Sequence, residues 1–184
     1  PLIKTVTINF DLFSKADIAN FSHIVFTSAN GVKIFFEYLQ KSKTDIRTLR
    51  DTKFAVVGKK TADALASYGI YADIVPQIHS GLELARLMCE KCSKNDNILL
   101  IRAENGASTI PNILSENNIN FTDMHLYRTE TDHSKQELLN LCLSDTDYVI
   151  LSSGSAAKAF SEMADTSNVK LISIGNETTK SAEK

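Results

Sequence analysis

A stretch near the start of the chain returns 124 residues later. Leu2-Ile3-Lys4-Thr5 aligns with Leu126-Tyr127-Arg128-Thr129, and the same spacing lays Ile24-Val25-Phe26-Thr27-Ser28 on Tyr148-Val149-Ile150-Leu151-Ser152. Val32, Phe35, Phe36 and Leu39 then fall on Ala156, Ala159, Phe160 and Met163, the i, i+3, i+4, i+7 stripe of a helix that buries one face. Farther on, Val57-Gly58-Lys59-Lys60-Thr61 matches Ile174-Gly175-Asn176-Glu177-Thr178 at a spacing of 117, a change that a seven-residue loop difference explains. Such a duplication commits the chain to one supersecondary unit built twice.

Each copy alternates short apolar runs with amphipathic stretches, the pattern of a parallel sheet covered by helices on both faces. The expected strands are 23–27, 54–57, 72–75, 98–101, 121–127, 148–151 and 170–174. Ser80 with Glu83 and Ser134 with Glu137 read as capping boxes, and Gly69 as the glycine that ends the helix begun at Thr61. The strand Ile98–Arg102 would have its counterpart at position −26, ahead of the first residue. The last helix stops at Lys184, opposite Ser67. Pro1 reads as the end of a strand, so the expectation is a chain trimmed at both ends.

Composition narrows the partners. Twenty basic against 22 acidic side chains leave a net charge of -2, without the basic field that nucleic-acid binding calls for. No apolar run approaches the 18 or so residues of a membrane span. Cys89, Cys92 and Cys142 make an odd number in a stretch that shows no signal-like n-region and h-region, so a reducing cytoplasm is expected rather than a disulfide framework.

Candidate chemistry gathers at strand-to-helix turns. Thr27-Ser28-Ala29-Asn30, Gly58-Lys59-Lys60-Thr61, Ser152-Ser153-Gly154-Ser155 and Gly175 to Thr178 each follow a strand and open a helix. Such edges bind ligands in open α/β sheets, and helix N-termini favour anions. The ordinary role of a Ser or Thr there is N-capping, but four such turns in paired positions could hold several anionic groups together. Gly58-Lys59 lacks the phosphate-loop pattern, since Lys53 and Lys60 stand where Gly and Ser or Thr are required. Cys89-Glu90-Lys91-Cys92 sits near a helix end, where no dipole activates a thiol, and has no second pair for zinc. His23, His79, His125 and His133 are dispersed without ligand or triad spacing, and no metal is expected. Tyr127 stands where one half passes into the other. Its phenol could donate a proton to a leaving oxygen, or it could be a strand aromatic with its hydroxyl in water.

Taken in order, Pro1-Leu2-Ile3, Val25 to Val32, Ala55 to Ala62, Ala72 to Pro76, Ile98 to Arg102, Tyr127-Arg128-Thr129 and Ile174 to Thr179 resemble uroporphyrinogen-III synthase along almost the whole chain. The resemblance implies two similar doubly wound parallel-sheet α/β domains joined by a two-stranded linker, with the substrate in the cleft between them. Residues 6–123 would form the continuous domain and 130–184 the second, lacking its N-terminal strand and C-terminal elements, with 1–5 and 124–129 as the linker. The implied substrate is hydroxymethylbilane, four linked pyrroles carrying eight carboxylates. It is closed with inversion of ring D to uroporphyrinogen III and water, a lyase reaction of haem biosynthesis that needs no cofactor.

Tyr127 matches the tyrosine that assists departure of the hydroxyl. Thr27, Ser28, Ala29, Asn30, Thr61, Ser152, Ser153 and Thr178 match substrate-binding positions. Ser153-Gly154-Ser155 departs from a more usual Pro-containing turn, and Asn176 stands where Pro is common. The implied setting is a cytoplasmic monomer in transient contact with the preceding deaminase, with no nucleic-acid or membrane partner. Two alternatives stay open: a non-catalytic two-domain module that binds an anionic small molecule, and a degenerate member without activity.

Overall fold

The apolar runs pair side by side, because a strand buried on both faces needs its backbone groups satisfied by neighbouring strands. In the computed structural model, which describes residues 1–15, 17–164 and 169–183, the strands are β1 (Ile3–Thr7), β2 (His23–Phe26), β3 (Lys53–Val56), β4 (Ile98–Ala103), β5 (Phe121–Thr131), β6 (Tyr148–Leu151) and β7 (Lys170–Ser173). The chain divides into two compact units, Thr7–Arg128 on one hand and Pro1–Val6 with Thr129–Lys184 on the other. Strands β1 and β5 each run from one unit into the other. The fold is α/β with a sheet dominated by parallel pairs.

In the unit Thr7–Arg128, β5, β4, β2 and β3 lie in that order, all parallel, with Ile24 opposite Leu99 and Phe54, and Leu100 opposite Asp123. β1 joins the β5 edge; Ile8 N donates to Leu126 O and Asp132 N to Leu2 O, so that pair is antiparallel. Side chains alternate across the sheet, as period two requires. Ile24, Phe26, Phe54, Val56, Leu99 and Ile101 turn to one core and Val25, Ala55, Ile98 and Leu100 to the other.

The first core is closed by α1 (Phe10–Lys15), α2 (Ala29–Lys41) and α3 (Lys59–Ala66). Phe35, fully buried, meets Phe13, Phe26 and Phe36 at centroid distances of 5.5, 5.3 and 5.3 Å. The second core is closed by α4 (Gly81–Lys91) and α5 (Thr109–Glu116) through Leu84, Met88, Ile110 and Leu114. Helix α4 has half of the expected capping box: Ser80 Oγ accepts from Glu83 N at 3.2 Å, but Ser80 N donates to Ile78 O and the Glu83 carboxylate accepts from Arg86 instead.

In the other unit, β6 and β7 pair in parallel, Tyr148 opposite Lys170 and Leu151 opposite Ser173. α6 (Gln136–Leu143), α7 (Gly154–Met163) and α8 (Asn176–Ala182) accompany them. Leu151, Ala157 and Phe160 form a small core, while Leu141, Ile150 and Ile174 are exposed. The expected end of the second domain at Lys184 lies outside the described residues, as do 165–168.

Several expectations are corrected. Residues 72–75 form no strand; Ile74 makes a single bridge to Ala55, and Asp73 instead turns its carboxylate back to accept from Phe54 N at 2.7 Å. Ser134 caps nothing: its hydroxyl donates to Asp132 Oδ1 at 2.7 Å inside a 3-10 turn, and α6 begins later, at Gln136. The helix expected from Thr61 starts at Lys59, and Pro1 precedes β1 rather than ending a strand. Gly69 takes φ +80, as a glycine after a helix should.

The repeat itself shifts by one. β2 and β6, and the buried residues Val32, Ile34, Phe35 and Tyr38 of α2 against Ala157, Ala159, Phe160 and Met163 of α7, correspond at a spacing of 125. Among the described residues no helix is long and apolar enough to cross a membrane.

Candidate functional site

The carboxyl ends of β2 and β4 and the middle of β5 meet at one cavity. Thr27 and Ser28 follow β2, Arg102 and Ala103 end β4, and Tyr127 comes from β5; Val57, Gly81, Gly106, Ala107, Thr109 and Ile110 complete a wall around about 330 Å³. Ser28 holds the N-terminus of α2, its Oγ accepting from Gly31 N at 3.1 Å. The same Oγ lies 2.5 Å from the Tyr127 hydroxyl. Tyr127 is buried, and burial raises its pKa above the usual phenol value while the Ser28 bond partly offsets that. The phenol is therefore a neutral donor throughout the physiological range, with the positive end of the α2 dipole beside it.

Arg102 is the charged group in this wall, and it is spoken for. Its Nε and Nη2 donate to the two Asp123 oxygens at 2.8 and 2.7 Å, and Nη1 donates to Gly106 O at 3.0 Å. His125 Nε2 lies 3.2 Å from Asp123 Oδ2 but off the hydrogen-bond line. A forked, neutralised guanidinium shapes the cavity and pins the loop at Gly106 more than it supplies net charge. Sequence reading missed Arg102 and Asp123. The available signal was an arginine closing the otherwise apolar run Ile98–Ile101.

The structure brings Thr27, Ser28 and Tyr127 together. Ala29 and Asn30 open α2 next to them, Asn30 exposed. Thr61 lies in the first turn of α3, where its N–H donates to Gly58 O at 3.0 Å and its side chain is buried rather than facing the cavity. Ser152, Ser153 and Thr178 belong to the other unit. Ser153 caps α7, accepting from Ala156 N at 3.2 Å; Ser152, one position earlier, is exposed; and Thr178 is buried with its N–H on Gly175 O at 3.0 Å. Local geometry thus repeats in pairs, Ser28 with Ser153 and Thr61 with Thr178. The Cys89 and Cys92 thiols, at the end of α4, are both pushed up by burial, Cys92 to about 11, which disfavours a redox role.

The chain matches, over residues 1–184, the sequence profile of the family described as Uroporphyrinogen-III synthase HemD. It belongs to the uroporphyrinogen-III synthase family. Among its relatives, the porphyrin biosynthesis protein HemD of Ruminiclostridium josui is 33% identical over 192 residues, covering 100% of this chain and 38% of that protein. The uroporphyrinogen-III synthase of Chlorobaculum parvum (strain DSM 263 / NCIMB 8327) is 26% identical over 181 residues, covering 91% of this chain and 72% of that one. The chain therefore spans under two fifths of the R. josui protein's length.

Solved structures agree with the family. Uroporphyrinogen-III synthetase from Helicobacter pylori 26695 matches with a TM-score of 0.72 at 25% identity, over 99% of this chain and 79% of that chain. A mutant uroporphyrinogen III synthase from the extremely thermophilic bacterium Thermus thermophilus matches with a TM-score of 0.68 at 16% identity, over 100% and 77%, a likeness of fold.

Proposed function

We propose that the protein of which this chain is part acts as uroporphyrinogen-III synthase, closing hydroxymethylbilane with inversion of ring D and loss of water. The observation that carries the reading is the buried Tyr127 hydroxyl held by Ser28 on the wall of a cavity, in a chain of this family. The cavity suits one substituted pyrrole end of the bilane rather than all four rings. Gly31 N–H donates to Ser28 Oγ, Ser28 donates to the Tyr127 oxygen, and the phenolic proton is left for the departing hydroxyl. Each bond in such a chain polarises the next. Loss of that hydroxyl as water leaves a cation, ring D attacks through its substituted carbon to give a spiro intermediate, and fragmentation with reclosure yields the type III ring, the proton lost as the reclosed pyrrole becomes aromatic again returning to the Tyr127 oxygen.

The remaining work is conformational, holding the bilane so that the direct closure to type I is excluded. In the unit Thr7–Arg128, the Ser28 turn offers the N-terminus of α2 to a substrate carboxylate. The reading includes two doubly wound domains joined through β1 and β5, the second incomplete. Exposed Ile150 and Ile172 on β6 and β7 support that incompleteness. It also includes a cytoplasmic setting. The test supplies freshly generated hydroxymethylbilane to the intact protein and resolves the oxidised products. A type III excess over the protein-free control is expected; type I alone from folded protein overturns the reading.

A further inference from the structure

At the opposite end of the sheet from Tyr127, three residues far apart in sequence converge. His23 begins β2, Cys92 is the C-cap of α4, and Asp96 lies in the turn that leads into β4. One donor atom from each, an imidazole nitrogen, the thiol sulfur and a carboxylate oxygen, lie within 4.8 Å of one another. His23 and Cys92 are buried, 3% and 8% exposed, and Asp96 keeps a quarter of its side chain in solvent. We propose that His23, Cys92 and Asp96 form a binding site for a borderline-soft divalent cation of the zinc type, with water in the fourth position.

One ligand-to-ligand distance matches a metal site. His23 Nδ1 and Asp96 Oδ1 are 3.5 Å apart, beyond good hydrogen-bond length. That separation is the edge of a tetrahedron built on zinc bonds to nitrogen and oxygen of about 2.0–2.2 Å, which comes to about 3.4 Å. The carboxylate is already aimed: Ser93 N and Oγ donate to its other oxygen at 2.8 and 3.0 Å. Ser22 Oγ lies 2.9 Å from His23 Nδ1, accepts from Asn97 N at 3.1 Å and donates to Asn97 O at 3.2 Å, so a metal on Nδ1 takes the place of the Ser22–His23 hydrogen bond. Thiolate, imidazole and carboxylate together are a donor set that suits zinc and disfavours magnesium or calcium. On binding, the sulfur–metal bond forms and the thiol proton passes to solvent.

The site ties the end of α4 and the 93–97 turn to the start of β2. It lies five extended residues from the Ser28 cap, roughly 16 Å at 3.3 Å per residue, so it is a staple independent of the synthase reading. Zinc should raise thermal stability without being needed for turnover. The test uses the untagged intact protein stripped with chelator. Zn²⁺ alone is expected to bind and to raise the melting temperature, and Co²⁺ to show the sulfur-to-cobalt charge-transfer absorption of a thiolate ligand.

Cys92→Ser should abolish that absorption and Asp96→Asn should weaken binding about tenfold or more, while Cys142→Ser leaves both unchanged. Absence of the charge-transfer band in the wild-type protein overturns the proposal, as does a band that survives in folded Cys92→Ser. If Cys92→Ser does not fold, Asp96→Asn decides: unchanged affinity overturns the assignment and loss supports it. Because catalysis is measured separately, an inactive protein with a zinc site, or an active one without, tells the two proposals apart.

Discussion

Ser28 Oγ and Tyr127 Oη lie 2.5 Å apart across 99 residues of sequence, and the same serine oxygen accepts from the third amide of α2. One hydroxyl thus anchors both a helix start and the phenol. Ser28→Ala is expected to lose about 1 kcal/mol of stability as an N-cap, measured by denaturant unfolding. It should also lower turnover while Tyr127 remains in place.

Tyr127→Phe keeps the ring and the packing. It should lower turnover by about a hundredfold or more if the phenol protonates the leaving hydroxyl, with binding of uroporphyrinogen III little changed. Equal turnover in the two proteins, measured under saturating bilane, would leave Tyr127 a packing residue.

Ionisation of the same phenol gives a separate test. Burial raises the pKa of both Tyr127 and Tyr38 above the usual 10.0. The folded state therefore holds these protons more tightly than the unfolded chain does. The stability they contribute is whole below pH 10 and declines as pH rises through their folded values. An alkaline titration followed by phenolate absorbance should show a late step above the usual phenol range, to which Tyr127 contributes. The late step should shrink in Tyr127→Phe; a late step of the same size in that variant would contradict the burial.

Two of the Arg102 hydrogen bonds go to a single carboxylate, that of Asp123. Removing Asp123 leaves a guanidinium, only 8% exposed, without its two charge-assisted bonds. Breaking a buried pair costs about 3–5 kcal/mol; because a quarter of the Asp123 side chain is exposed, about 2–3 kcal/mol is expected for Asp123→Ala. The double replacement Arg102→Met with Asp123→Leu should recover most of it. A double variant as unstable as the sum of the single ones would show that the pair is not coupled.

Gly58 and Gly175 hold equivalent turns with equally extended φ, yet only one is crowded. A Cβ on Gly58 would come within 2.8 Å of His79 Cγ and 2.9 Å of its Cβ, whereas among the described residues nothing lies within 4 Å of one on Gly175. Gly58→Ala should destabilise by about 1–3 kcal/mol as an overpacked site, and Gly175→Ala should be close to neutral. Pairing Gly58→Ala with His79→Ala should restore the loss. Thermal unfolding of the three proteins checks the set.

Much of this was legible because it is local. Strand positions, the Ser80 cap and the Gly69 stop depend on residues within a turn of each other, and apolar periodicity reports them directly. The repeat was visible but slipped by one, since Ser152 and Ser153 both look like caps. Only the Ser153 bond to Ala156 N and the burial of Ala157 and Phe160 fix the register. Residues 72–75 read as a strand on composition, but a strand also needs a partner along its length and Ile74 finds only one bridge. Arg102 with Asp123, and His23 with Cys92, were invisible because separations of 21 and 69 residues are closed by sheet order rather than by any pattern along the chain.

The antiparallel seam of β1 on β5 carries an implication for how the polypeptide is made. Leu2 accepts from Asp132 and Leu126 from Ile8, so β1 leaves the ribosome long before the strand it pairs with. Strands β2, β3 and β4 can assemble among themselves while β1 waits as an unpaired edge, the kind of exposed template that invites pairing with other chains. Synthesis that pauses before residue 121 should therefore leave a species in which most of one unit is built and β1 is still open, a natural client for a chaperone.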